Sequence, residues 1–314
     1  MKASFIVPLF NRLDLTRAML ESLVRSLPAG LAHEIILVDD ASTDATRDWV
    51  AGLPPPVRPL LLPHNGGYAR ANNAGAALAT GEVLVLLNND LILPPGWLEP
   101  MLEALDALGA QAGVIGNLQE RVDDGLLDHA GIAFDAKGKP AHLRSEPSVW
   151  ERLALSRRVC AAVTGACIAV RTDLWREVGG LDPAYVNGCE DVDLCLKVRA
   201  LGKVNAVALR SRVRHHVSAS PGRKLRDEAN TFRLVSRWRN EIAALAARAW
   251  AVHRFEDGLA DPRRFRSDRE AWVLAAFRTG LLPTPPDGAR LGIQAAIDRE
   301  LARWRELGVA SAER

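Results

Sequence analysis

The first hundred residues alternate short apolar segments with helical patterns, and this alternation restricts the possible folds more than any other feature of the sequence. Strands are predicted at residues 4–7, 35–38, 57–62 and 83–87, which are rich in Val, Ile and Leu. Between them, Leu15, Met19, Leu23 and Leu27 recur every four residues, and helices are also predicted at 69–79 and 97–108. Such strands are typical of a mostly parallel sheet that is covered by helices on both faces. We therefore predict an α/β fold.

Polar segments follow each of the four predicted strands. They are residues 8–12 (Pro-Leu-Phe-Asn-Arg), 39–44 (Asp-Asp-Ala-Ser-Thr-Asp), 65–67 (Asn-Gly-Gly) and 88–90 (Asn-Asn-Asp). Each alone has an ordinary structural explanation as a helix cap or a turn. Because ligands of parallel sheets bind beyond the carboxyl ends of the strands, four such segments together predict a polar binding crevice at one sheet edge.

Several classes of function lack their usual motifs in this chain. The glycine-rich dinucleotide fingerprint does not follow the first strand, and the phosphate-binding G-x-x-x-x-G-K-[ST] sequence is also missing. A net charge of +2 gives no reason to expect nucleic-acid binding. Asp90, at the tip of an apolar strand, is instead a candidate ligand for a cation that would neutralise a diphosphate.

These polar segments resemble the motifs of family 2 inverting glycosyltransferases of the GT-A fold. Similarity to the rhamnosyltransferase-like branch continues at residues 128–131, 164–166, 178–182 and 190–195, and at His215 with Ser218. The resemblance covers residues 3–220 or so. It implies a Rossmann-like, mostly parallel central sheet flanked by helices, with a helical C-terminal extension.

The resemblance also implies a donor site for a nucleotide sugar. Asp39 would lie near the base, and Asn11 and Arg12 would shape the same wall of the site. The residues implied in donor binding are Pro8, Phe10, Asn11, Arg12, Asp39, Asn65, Gly67, Arg70, Asn73, Asn88 and Asn89.

A divalent cation, Mg²⁺ or Mn²⁺, is expected from the same resemblance. Asp90 matches the second acid of the family's Asp-x-Asp metal motif, and His215 matches a residue that in some members completes the metal or diphosphate site. Asn88 stands where the first acid is often found. Since an amide oxygen is a weaker ligand than a carboxylate, we expect modest metal affinity.

The segment 187–198 predicts the start of a helix, with Asn187 as its N-cap and Glu190 at the spacing of a capping box. Asp191 falls on a stripe with Leu194, Cys195 and Val198, so we expect it to point inward, unlike Glu190 and Asp193. Acids also favour helix N-termini for purely structural reasons. In the family, the aspartate that matches Asp191 is the catalytic base. The acceptor or sugar region is assigned to Gly165, Ala166, Glu190 and Trp150.

The predicted domains are a catalytic domain over 1–235, with a donor half (1–110) and an acceptor half (111–235), and a helical extension over 236–314. Within the extension, Ile293, Ile297, Leu301 and Trp304 form one stripe of a helix over 291–307. This stripe would pack on its own domain, on a second subunit in a homodimer, or peripherally on a membrane. No apolar run approaches 18 residues and no secretory cleavage site follows residues 1–10, which favours a cytoplasmic location.

The function predicted from these features is inverting transfer of a hexosyl-type sugar from a UDP- or dTDP-sugar to a hydroxyl acceptor in bacterial cell-surface glycan synthesis. The acceptor would be a saccharide, a lipid-linked saccharide or a protein. Arg223 and Lys224 are expected to close over the diphosphate. Two alternatives stay open: a sugar nucleotidyltransferase, and a non-catalytic nucleotide-sugar or glycan-binding relative.

Overall fold

The computed structural model describes residues 1–216, 227–261, 263, 265 and 267–308. The chain forms two compact units. The first comprises residues 1–132 and 142–224, and the second comprises residues 133–141 and 225–314. The predictions for Ser218, Arg223 and Lys224 lie outside the described residues.

The first unit is built on a mixed, mostly parallel sheet, as the sequence predicts. Its described strands follow the order β10-β12-β6-β11-β4-β1-β2-β3, with β5 beside β12 and β7 beside β6. The four strands predicted from the apolar segments are β1 to β4, and they are parallel. The bounds are β1 Ala3–Leu9, β2 His33–Asp39, β3 Val57–Leu61, β4 Val83–Leu87, β5 Leu91–Ile92, β6 Ala112–Arg121, β7 Leu127–His129, β10 Arg157–Val159, β11 Cys167–Arg171 and β12 Val204–His215.

Helices cover the sheet, and the three helices predicted in the first hundred residues are confirmed as α1, α3 and α4. The central strands are buried on both faces because their side chains are apolar in both directions, as at Ile6, Leu37 and Leu86, which have no exposed surface. The described helices of this unit are α1 Leu13–Ser26, α2 Thr46–Ala51, α3 Gly67–Leu78, α4 Glu99–Leu108, α5 Val149–Ala154, α6 Thr172–Glu177 and α7 Glu190–Ala200.

The second unit is helical, as predicted for the C-terminal extension. The predicted apolar stripe of the last helix is buried, and the Phe232 and Trp304 rings meet edge to face at 6.2 Å. The chain enters and leaves this unit through a two-stranded ribbon, β8 Ile132–Phe134 and β9 Pro140–His142. The described helices are α8 Asp227–Arg237, α9 Arg239–Ala260, α10 Asp268–Arg278 and α11 Asp287–Glu306.

The boundary between the units differs from the one expected at residues 235 and 236. That boundary falls inside α8, which belongs to the second unit because its apolar face, with Phe232, packs there. Residues 133–141, expected in the acceptor half, also belong to the second unit: a Cβ at Gly138 would lie 2.8 Å from Ile297. No helix among the described residues is long and apolar enough to cross a membrane.

Candidate active site

The strand register brings the polar segments predicted from the sequence to one edge of the sheet. Leu9, at the end of β1, lies opposite Asp39, at the end of β2. Leu87, the last residue of β4, lies opposite Cys167, the first residue of β11. The edge therefore carries the loops that follow the parallel strands and, beside them, the loop that precedes β11.

The loop after β1 is fixed by Asn11. Its backbone φ is 59°, a left-handed conformation that asparagine tolerates better than most residues. Its amide oxygen accepts hydrogen bonds from the Thr43 and Asp44 amides at 2.7 and 3.2 Å. Asn11 thus ties together the loops after β1 and β2. Phe10 next to it keeps 49% of its surface exposed, which leaves an aromatic face free at this edge.

The neighbouring acids Asp39 and Asp40 both bind groups of the protein itself. Asp39 has no exposed surface, and its carboxylate accepts hydrogen bonds from Arg47 Nη1 at 2.6 Å and from the Ser42 amide. In this conformation Asp39 is not open to a nucleobase, so the predicted contact requires these bonds to rearrange. Asp40, which the sequence analysis left without a role, accepts the Gly66 and Gly67 amides at 2.8 Å each and fixes the start of α3. Burial raises the pKa of Asp40.

The predicted donor residues at the start of α3 and within it divide into two groups. Asn65 and Arg70 have exposed side chains, whereas the Gly67 amide, in a residue with a φ of 79°, is bound by Asp40. Asn73 is different. Its side chain donates to the Leu181 carbonyl at 2.8 Å and accepts from the Leu181 amide at 3.0 Å. Because both of its polar groups are bound to the protein, Asn73 holds the loop before α7 in this structure.

Asp90 and His215 are brought together as the sequence predicts. His215 pairs with Leu91 across β12 and β5, and its Nε2 lies 3.1 Å from Asp90 Oδ1. Both residues are more than nine-tenths buried. Asn88 is half-buried, whereas the Asn89 side chain donates to Thr16 Oγ1 at 2.9 Å and so points toward α1.

The donor atoms at this position fit a hard divalent cation. Asp90 Oδ1 is buried, and no group in the described part of the chain makes a hydrogen bond to it with acceptable geometry. The described residues hold no cluster of three or more His, Cys, Asp or Glu side chains suited to a metal. A cation at this position would therefore have to take ligands besides Asp90 and His215.

Asp191 lies in the first turn of α7, but the start of this helix differs from the prediction. The N-cap is Cys189, in a left-handed conformation and without a side-chain cap, so the expected capping role of Asn187 is wrong. Asn187 itself has a φ of 53°, which is incompatible with a usual N-cap, and Glu190 accepts the Gly188 amide at 2.6 Å.

The burial of the three acids of α7 also differs from the stripe prediction. Glu190 and Asp193 are buried, whereas Asp191 is only half-buried. The reason is that α7 is covered around most of its circumference, and Asp193 is matched by Lys197 at 3.2 Å. Asp191 Oδ2 accepts the Gly165 amide at 2.7 Å, and Oδ1 accepts the Val192 amide at 2.8 Å. The carboxylate is thus held in one orientation while it keeps exposed surface.

Gly165 and Ala166 lie at this edge, next to Asp191 and to the segment that contains Asp90. The Ala166 carbonyl accepts the Asn88 amide at 2.8 Å, which places the loop before β11 beside the Asp90 segment. Trp150, on α5, keeps 79% of its surface exposed. Sequence reasoning missed Tyr68, whose hydroxyl donates to the Gly165 carbonyl at 2.6 Å, and it gave no role to His129. The available signal was that Tyr68 directly follows the 65–67 segment and that His129 lies within the 128–131 motif.

The chain is similar to several known proteins. The model of the family described as "Glycosyl transferase family 2" matches residues 4–173. The O-antigen biosynthesis protein RfbC of Myxococcus xanthus is 30% identical over 98% of this chain, which spans only 23% of that protein. An N-acetylglucosaminyl-diphospho-decaprenol L-rhamnosyltransferase of Mycobacterium tuberculosis is 28% identical over 60% of this chain and 68% of its own length.

Among solved structures, GalNAc-T7 with UDP, GalNAc and Mn²⁺ superposes with a TM-score of 0.63. The match covers 91% of this chain and 58% of that one at 17% identity. At this identity the likeness shows the fold, which is the GT-A fold predicted from the motifs.

Proposed function

Since the chain belongs to glycosyl transferase family 2, we propose that it transfers a sugar from a nucleotide-diphosphate donor to a hydroxyl acceptor with inversion at the anomeric carbon. The main support for this proposal is the position of the loop before β11. Its Gly165 amide is hydrogen-bonded to Asp191, and its Ala166 carbonyl accepts the amide of Asn88, two residues before Asp90. A candidate base and a candidate diphosphate site thus belong to one sheet edge.

Asp191 would act as the general base. Each of its oxygens already accepts one backbone N–H, which fixes the carboxylate and leaves further lone pairs for an acceptor hydroxyl. As the acceptor oxygen attacks the anomeric carbon, its proton passes to Asp191 and the bond from that carbon to the diphosphate oxygen breaks. Attack opposite the leaving group inverts the configuration.

Asp90 and His215 would hold Mg²⁺ or Mn²⁺. Bound there, the cation would supply positive charge for the departing diphosphate. This part of the proposal is supported by the buried Asp90 Oδ1, which lies 3.1 Å from His215 Nε2, and by the Mn²⁺ in the GalNAc-T7 structure. On the donor side, Phe10 would offer its exposed ring to the nucleoside, and Asn11 would hold the loop around it.

Bacterial polysaccharide or O-antigen synthesis is the proposed setting, supported by the similarity to RfbC. The similarity to an N-acetylglucosaminyl-diphospho-decaprenol L-rhamnosyltransferase supports a lipid-linked saccharide acceptor. A UDP- or dTDP-sugar donor stays a prediction of the sequence. The cytoplasmic location and a contact of the C-terminal helices with a membrane or a second subunit stay predictions of the sequence.

A binding protein without transferase activity is the second candidate. It is favoured by Asn88, an amide where the family often has an acid, and by the small number of acidic ligands beside Asp90 in the described residues. The presence of both Asp90 and an oriented Asp191 favours the enzyme, since a binding protein has no need of a base.

Release of nucleotide diphosphate from a panel of UDP-, dTDP- and GDP-sugars, with Mg²⁺ or Mn²⁺ present, tests the proposal. We expect turnover of one donor by the native protein and a loss of about 10²–10⁴-fold in Asp191→Asn, the usual contribution of a general base, with donor binding retained. Asp106→Asn is the matched control, because Asp106 is exposed on α4 and pairs with Arg171. Full turnover by Asp191→Asn would exclude this base, and binding of a donor without turnover would favour the second candidate.

A further inference from the structure

The loop before β11, residues 164–166, is held by four groups that are far apart in the sequence. The Thr164 amide donates to His129 Nε2 at 3.3 Å, and the Gly165 amide donates to Asp191 Oδ2 at 2.7 Å. The Gly165 carbonyl accepts the Tyr68 hydroxyl at 2.6 Å, and the Ala166 carbonyl accepts the Asn88 amide at 2.8 Å. The loop therefore connects the donor side of the edge to the candidate base.

Tyr68 and Asp191 contact the same small residue. A Cβ built on Gly165 would lie 2.9 Å from the Tyr68 hydroxyl oxygen and 3.2 Å from Asp191 Cβ. There is no room for a side chain, so the tyrosine and the aspartate both rest directly on the backbone at this position. A small shift of the Gly165 backbone would consequently move the N–H that holds Asp191.

The tyrosine hydroxyl can act only as a donor to the carbonyl. Burial, and then the nearby carboxylates of Glu190 and Asp191, raise the pKa of Tyr68 well above its ordinary value. The hydroxyl is thus protonated throughout the working pH range. A hydrogen bond of 2.6 Å to a carbonyl in a desolvated position is among the stronger neutral ones.

His129 supports the same loop from the other side. It is almost completely buried, and its Nε2 accepts both the Thr164 amide and the Gly131 amide. Burial lowers the pKa of His129 well below its ordinary value, which keeps Nε2 free to accept. The neighbours of Gly165 are thus both hydrogen-bonded, and Gly165 itself is bound through its amide to Asp191 and through its carbonyl to Tyr68.

We propose that Tyr68 is a positioning residue for Asp191, acting through the Gly165 backbone. The proposal rests on the function proposed above, in which Asp191 is the base. Tyr68 also stands in the first turn of α3, directly after Gly66 and Gly67, whose amides Asp40 holds. Tyr68 therefore connects the start of α3, on the proposed donor side, to the proposed base, Asp191.

Tyr68→Phe removes the hydroxyl and keeps the ring. We expect kcat to fall about three- to tenfold, the size that the loss of one net hydrogen bond gives, with the donor KM changed less than twofold. Tyr185→Phe is the matched control: it removes another tyrosine hydroxyl near α7, one that donates to Asp193 at 3.4 Å, without touching Gly165. In an Asp191→Asn background, Tyr68→Phe should cause no further loss, because it acts through Asp191.

Hydrogen exchange of the peptide that contains Gly165 gives a readout that needs no turnover. We expect several-fold faster exchange in Tyr68→Phe and unchanged exchange in Tyr185→Phe. Unchanged exchange in Tyr68→Phe, an unchanged kcat, or an equal loss in the Asp191→Asn background would each overturn the proposal. If the native protein turns over no donor, the proposed function fails separately, while the exchange measurement still decides whether Tyr68 restrains Gly165.

Discussion

Glu34 makes a strong, testable contribution to the stability of the first unit. Its side chain is 9% exposed at the edge of the sheet opposite the candidate site. Oε1 accepts the Ser4 hydroxyl at 2.6 Å and both the amide and the hydroxyl of Thr80 at 2.7 Å, and Oε2 accepts Arg58 at 2.7 Å. Burial acts to raise the pKa of Glu34, but these four bonds outweigh it and lower the pKa from 4.5 to about 2.

The lowered pKa of Glu34 determines how much its ionised form stabilises the folded state and how this stability depends on pH. At about 1.4 kcal/mol per pKa unit, the ionised form stabilises the folded state by about 3 kcal/mol. Because the folded pKa lies below the unfolded one, this stability is fully present above about pH 5 and is lost as the pH falls toward 2. In Glu34→Gln we expect a free energy of unfolding about 3 kcal/mol lower at pH 7, and a weaker dependence on pH between 5 and 2.

Urea unfolding followed by circular dichroism at pH 7, 5 and 3 provides the measurement. Glu82→Gln serves as the control, since the Glu82 carboxylate lies at the same end of the sheet with 67% of its side chain exposed. Its stability should be close to that of the native protein at every pH. A Glu34→Gln variant that keeps the native pH dependence between 5 and 2 would refute the assignment of this acid sensitivity to Glu34.

Two further predictions concern the candidate site. His215→Ala should raise the Mn²⁺ concentration needed for half-maximal activity by about tenfold or more, since it would remove one of the two proposed protein ligands; an unchanged Mn²⁺ titration would argue against a metal at Asp90. Phe10→Ala should raise the donor KM about five- to fiftyfold, as expected when a base loses an aromatic partner, whereas Leu126→Ala, at a comparably exposed leucine, should not; equal KM values for the two variants would remove Phe10 from the donor site.

Local patterns were sufficient where the physical rule is itself local. The apolar segments predicted β1 to β4, and the helical patterns between them predicted α1, α3 and α4. Burial on both faces favours Val, Ile and Leu in β1, β2 and β4, whereas β3 at the edge of the sheet is largely exposed. The polar segments could be assigned to one edge because parallel strands carry their carboxyl ends to the same side.

Local patterns do not show which polar side chains bind other groups of the protein. Asp39 and Asn73 have the residue types of a donor site, but Arg47 and Leu181 occupy their polar atoms. Likewise the helical stripe of α7 misplaced Asp193, because the stripe rule assumes one exposed face and this helix has little exposed surface. A pattern that compares neighbours along the sequence does not identify such hydrogen-bond partners.

The sequence by itself determined the class of fold, the edge of the sheet that carries the site, and the residue types available there. Only the tertiary structure decided which of those residues are hydrogen-bonded within the protein and which keep exposed side chains. The loop at residues 164–166 shows the reason: Tyr68 and Asp191 bind the Gly165 backbone and His129 binds the Thr164 amide, through hydrogen bonds that span 26 to 97 residues. A backbone N–H or carbonyl is the same in every residue, so only the folded chain determines which side chain it binds.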